Sequence, residues 1–200
     1  MKRAAPIRNV SRKAQGPDAG GWQPGLTGLH CPPRLADWLQ ERRSLTARIL
    51  RQAPTGAAFS VTVLRQGLAL PLADEAVLIG GRADRRVLVR DVVLSLGGRA
   101  VIYAHTVLAP DQARHPWPWL DRIGQRPLGS ILFTRHDIVA GPHRYRGLDR
   151  RHPLYRAAAP WCGTPLPARL PARRACFFLQ GSPLLVTEVY LPSLLELCAP

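Results

Sequence analysis

Two hundred residues suffice for one domain with a buried core, and 20 prolines with 17 glycines exclude a long helical bundle by placing turns throughout the chain. The formal charge of +15 would draw in anionic partners of any size. Arginine supplies nearly all of it, so an arginine-rich codon usage explains it equally well.

Cys31, Cys162, Cys176 and Cys198 form no C-x-x-C pair and show no regular spacing, so neither a zinc site nor a secreted disulfide framework is indicated and reduced thiols are expected. The chain lacks an uninterrupted run of about eighteen uncharged apolar residues, and none follows the charges at its start. No membrane span is therefore expected, and a cytoplasmic location is.

Residues 1–33 read as a basic, Gly- and Pro-rich arm carrying Lys2, Arg3, Arg8, Arg12 and Lys13, with Trp22 and Leu26 as its apolar anchors. Residues 34–200 read as the folded domain. Pro32 and Pro33 lead into a helical stripe of Leu35, Trp38, Leu39, Leu45 and Ile49, ended by Pro54 and Gly56. From Phe59 to Val63 the period drops to two, predicting a strand. Val87 to Leu94 and Ala100 to Leu108, joined at Gly97-Gly98, predict an antiparallel hairpin.

Asp111 to Ile123 has helical character broken by Pro116 and Pro118. Ser130 to Val139 reads as a further strand, and Gly141 to Pro171 as a Pro- and Arg-rich excursion. Arg173 to Leu179 and Leu184 to Leu191 form a last hairpin around Gln180-Gly181-Ser182-Pro183. One helix followed mainly by neighbouring strands favours an α+β fold with a single antiparallel sheet over a doubly wound one.

Two charges break the apolar pattern. Arg90 shares a strand face with Leu88, Val92 and Leu94, and Glu188 shares one with Leu184, Val186 and Tyr190. A charge inside an apolar layer is costly unless partnered. Either the two pair with each other or one face is solvated, or Arg90 clamps a ligand carboxylate while Glu188 meets a hydroxyl in a mostly apolar pocket. The six histidines show no metal-ligand spacing, and Ser130 and Ser182 lie outside a nucleophile elbow, so neither a metal nor a serine nucleophile is expected. Arg144, Arg146, Arg150, Arg151 and Arg156 with Tyr145 and Tyr155 leave open a basic surface for single-stranded nucleic acid, although a solvated loop accounts for them too.

The segment Arg126-Pro127-Leu128-Gly129-Ser130-Ile131-Leu132-Phe133 resembles the PLG-x-x-LF motif of chorismate pyruvate-lyases. Arg173-Arg174 and the run from Gly181 to Pro192 are similar to that family's final hairpin. Val89-Arg90-Asp91-Val92-Val93-Leu94 resembles a third motif, and Leu35 to Leu39 with Ser44-Leu45-Thr46 its opening helix. The resemblance implies an antiparallel sheet with helices on one side and an internal pocket closed by flaps, without cofactor or metal. It implies cleavage of chorismate to 4-hydroxybenzoate and pyruvate for ubiquinone synthesis. Arg90 would then hold the ring carboxylate with the backbone at Leu45 and Leu128, and Glu188 would face the 4-hydroxyl. Leu45 stands where the family commonly has Met, a volume-conserving change. A monomer with no nucleic-acid partner is expected. The competing readings are a non-catalytic binder of aromatic acids on the same fold and a basic nucleic-acid-binding domain.

Overall fold

The computed structural model describes residues 20–29, 31–109 and 116–197. The charges from Lys2 to Lys13, and Asp111 to His115 of the expected broken helix, lie outside them. Seven described strands form one antiparallel sheet: β1 (Phe59–Ala69), β2 (Val87–Leu96), β3 (Arg99–Leu108), β4 (Ile138–Ala140), β5 (Arg144–Asp149), β6 (Arg169–Leu179) and β7 (Ser182–Tyr190). Their order is β1-β2-β3-β7-β6-β4, with β5 also paired to β6.

Both predicted hairpins are present. Gly97 and Gly98 turn β2 into β3 at φ 56° and 77°, where a β-carbon would be strained. Gln180 and Gly181, at φ 50° and 81°, link Leu179 to its partner Ser182. β2, β3, β6 and β7 are buried along most of their length, which suits the Val-, Ile- and Leu-rich runs of β2, β3 and β7 and the Ala-Cys-Phe-Phe-Leu end of β6.

Helices α1 (Pro33–Leu39), α2 (Leu45–Arg51) and α4 (Leu128–Leu132) pack on the sheet face that carries Val92, Leu94 and Phe177. Helix α5 (Pro153–Ala158) and Ile79, at the end of α3 (Ala73–Leu78), cover the other face, over Val93, Tyr103, Val89 and Val107. This goes beyond the single helical side implied by the family resemblance. Helix α6 (Ser193–Leu197) follows β7.

Three local readings need correction. The stripe from Leu35 to Ile49 is two helices, because the Ser44 hydroxyl caps a new start by accepting from the Ala47 N–H at 3.2 Å. The carbonyls of Trp38, Leu39 and Glu41 are taken by Tyr190 and Arg173 side chains. Ser130 to Val139 is not one strand: Leu128–Leu132 is helical, Phe133 N–H donates to Gly129 O at 3.2 Å, and only Ile138–Ala140 is extended. Leu128 and Leu132, four apart, bury one helical stripe, a period that a short apolar run cannot declare by itself. Gly141 to Pro171 is largely regular, since it contains β5, α5 and the start of β6. Trp22 is fully buried and its neighbour Gln23 pairs with Tyr145.

Candidate active site

The sheet register brings the misfit charges together. Arg90, Thr106, Val186 and Ala175 form one row across β2, β3, β7 and β6, and Val92, Ala104, Glu188 and Arg173 form the next row on the same face. Strands lie about 4.8 Å apart and same-face residues about 7 Å apart along a strand. Arg90 and Glu188 are thus diagonal, with Cα atoms on the order of 12 Å apart. Between them Ala104 and Thr106 on β3 keep the floor low, so space remains above the sheet. That space is a cavity of about 50 Å³ that opens to solvent at its mouth.

The cavity is roofed by the starts of two helices, with Leu45 and Thr46 from α2 and Pro127, Leu128 and Gly129 from α4. The first backbone N–H groups of a helix have no intrahelical acceptor, and Leu45 and Leu128 are those first residues. Gly129 lies at the junction of the two helices, where a β-carbon would be in ordinary contact with Ser44 Oγ at 3.4 Å and Thr46 Oγ1 at 3.6 Å. Phe133, His143 and Phe177 complete the rim.

Arg90 is 1% exposed. Its Nη2 donates to Gly124 O at 2.7 Å and its Nε to Gln66 Oε1 at 3.2 Å. Among the described residues no carboxylate pairs with it, and burial pulls its pKa below the ordinary arginine value. Glu188 instead pairs with Arg173 Nε. Arg173 is buried, which opposes its charge, but the Glu188 carboxylate and Tyr190 more than offset this and raise its pKa. Burial, and then the nearby Arg173 charge, push the His143 pKa down to about 4, leaving a neutral ring near pH 7.

Of the residues singled out from sequence, Arg90, Glu188, Leu45 and Leu128 line this one cavity. Arg90 and Glu188 do not pair with each other. Sequence reading missed the part of Arg173, Thr106 and His143. For Arg173 the signal was available, since it shares a strand face with Ala175 and Phe177. Among the residues considered for nucleic-acid stacking, Tyr145 and Tyr155 are buried and present no aromatic platform.

The other face carries a polar row directly behind the site: Asp91, His105, Thr187 and Arg174. His105 Nδ1 meets Asp91 Oδ1 at 2.5 Å. Its Nε2 lies 3.1 Å from Glu75 Oε1, close enough for charge attraction though poorly aligned for a hydrogen bond. Asp74, beside Glu75 on α3, accepts from Arg174 at 2.6 Å and from Trp22 Nε1 at 3.0 Å.

A mostly apolar cavity on an antiparallel sheet, with a cation at one corner and an acid at the other, has the lining of a small-molecule site. The sequence matches the chorismate lyase family over residues 17–197. A probable chorismate pyruvate-lyase of Dechloromonas aromatica strain RCB is 43% identical over 175 residues, covering 86% of this chain and 95% of that protein. One of Ralstonia nicotianae is 44% identical over 162 residues, covering 80% and 82%. The chain belongs to the chorismate lyase family. In fold it is also similar to the ligand-binding domain of a protein described as a GntR-family transcriptional regulator from Bordetella bronchiseptica, with a TM-score of 0.50 and 16% identity over 70% of this chain and 88% of that one.

Proposed function

We propose that this protein is a chorismate pyruvate-lyase whose reaction runs in the cavity between Arg90 and Glu188. The observation that carries the reading is Arg90, a guanidinium sealed in an apolar layer with a carbonyl and an amide for company and space in front of it. Such a group calls for an external carboxylate. The diagonal from Arg90 to Glu188 suits a ring with a carboxylate at one end and a hydroxyl at the other.

Arg90 takes the ring carboxylate, helped by the backbone N–H groups of Leu45 and Leu128, and Glu188 accepts from the 4-hydroxyl. Held this way, the substrate loses its C4 hydrogen and its C3–oxygen bond. The C4–H electron pair becomes the third ring double bond, the C3–O pair leaves on the enolpyruvyl oxygen, and the enolpyruvyl methylene gains a proton to become pyruvate. The C4 hydrogen reaches that methylene within the substrate through a six-membered array, or through Glu188 as acid and base. Aromatisation supplies the driving force, so the protein's task is orientation, and no cofactor is called for. The same reading places the reaction in the cytoplasm, with 4-hydroxybenzoate passing to ubiquinone synthesis.

Incubation of purified protein with chorismate, without metal or nucleotide, is expected to release 4-hydroxybenzoate and pyruvate in equal amounts by chromatography. Chorismate left intact by protein that still binds 4-hydroxybenzoate would overturn the lyase reading in favour of a non-catalytic binder.

A further inference from the structure

We propose that Arg173 forms a second anion subsite, which receives the carboxylate of the substituent next to the hydroxylated ring carbon, so that the site selects dicarboxylates over monocarboxylates. The inference rests on the substrate orientation proposed above. With the ring carboxylate at Arg90 and the 4-hydroxyl at Glu188, the enolpyruvyl group on C3 must lie towards the Glu188 end. Its carboxylate enters a cavity walled by Leu45, Leu128, Leu132 and Phe133. A second anion there needs a second cation.

Arg173 stands where the register requires it, as the direct cross-strand partner of Glu188 on β6. It lines the cavity while only 2% exposed. Its hydrogen bonds to described residues run from Nε to Glu188 and from Nη1 to the carbonyls of Leu39 and Glu41. The guanidinium is therefore fixed in plane by three anchors, and the Nη2 side of the fork is the branch left to serve a ligand. A planar donor immobilised before binding loses little entropy when a carboxylate arrives. His143 borders the same end, and as a neutral ring it offers a hydrogen bond to the same carboxylate without competing for charge.

The test uses three stable ligands with calorimetric Kd values: 4-hydroxybenzoate, its derivative carrying a carboxymethyl ether at ring position 3, and the uncharged 3-methoxy counterpart of that ether. The wild type is expected to prefer the charged ether by about tenfold, the worth of one charge-assisted hydrogen bond. Arg173→Gln should erase that preference while leaving the Kd for 4-hydroxybenzoate within about threefold, and Arg173→Lys should restore part of it. No preference in the wild type overturns the proposal whether or not the variants fold. So does a preference that survives Arg173→Gln, and so does equal weakening of all three ligands, which marks Arg173 as structural. Turnover of chorismate by the wild type is read separately. A dicarboxylate preference without turnover sinks the lyase reading and leaves the subsite standing, whereas turnover without the preference does the reverse.

Discussion

Arg90 is poorly accommodated in the free protein, because burying a cation beside only neutral acceptors costs several kcal/mol in principle. Arg90→Gln removes that cost together with the carboxylate clamp. Its melting temperature should therefore hold or rise, while KM for chorismate increases roughly 10- to 100-fold, the loss of a charged hydrogen bond of about 1.5–3 kcal/mol. Steady-state kinetics and a melting curve on one preparation check both, and an unchanged KM would put the ring carboxylate elsewhere. Glu188→Gln should keep the fold and lower kcat by about a hundredfold, with a smaller change in KM. Both residues were legible in the sequence because a charge interrupts period-two apolar alternation. Arg173 was harder to read, since Arg173-Arg174 looks like one basic pair although the strand sends the two guanidiniums to opposite faces.

At the scale of elements, the strands that carry the site are braced from behind by α3, which brings Glu75 to His105 while Asp91 holds the ring's other nitrogen. Arg65 adds a contact to Asp91 at 2.8 Å. Burial alone would depress the His105 pKa, but Asp91 and then Glu75 overcome it and hold the ring charged, with a pKa of about 9. That value lies above the ordinary histidine value of 6.5, so between the two the folded protein keeps a proton that the unfolded chain has lost. The contribution, roughly 3 kcal/mol, is thus fully present below about pH 6.5 and is lost as pH rises through about 9. Melting temperatures measured from about pH 6 to pH 10 should fall across this window, and His105→Gln should be less stable at the acid end and flatter in profile. Equal slopes in both proteins would mean that His105 is not the titrating group. None of this network was read from the sequence, because Asp91 and His105 meet only through the strand register and Glu75 only through the packing of α3 on the sheet. The hairpins were legible because glycine at positive φ is a local signal. The helix at Leu128 was not, because its apolar spacing fits a strand as well.

For the whole molecule, the sheet and the cavity-bearing strands could be inferred from pattern, whereas the meaning of the +15 charge could not. The structure narrows the choice: with Tyr145 and Tyr155 buried, the basic surface has lost the two aromatics that a single-stranded nucleic acid would stack on. What remains is a positive field around a cavity proposed to take a dianion. Such a field speeds capture without touching the chemical step, and salt screens it over a Debye length of about 10 Å at 0.1 M. Arg90 and Arg173, sealed inside, are screened far less. kcat/KM should therefore fall several-fold as ionic strength rises from about 10 to 200 mM, with kcat nearly constant. Arg90→Gln should keep the same relative salt dependence from its lower starting point, because the field it loses is local and the field that steers is not. Stopped-flow or initial-rate measurements at low substrate concentration distinguish the possibilities. A flat salt profile would mean that the excess arginine does nothing for capture, leaving codon usage as the sufficient account of the charge.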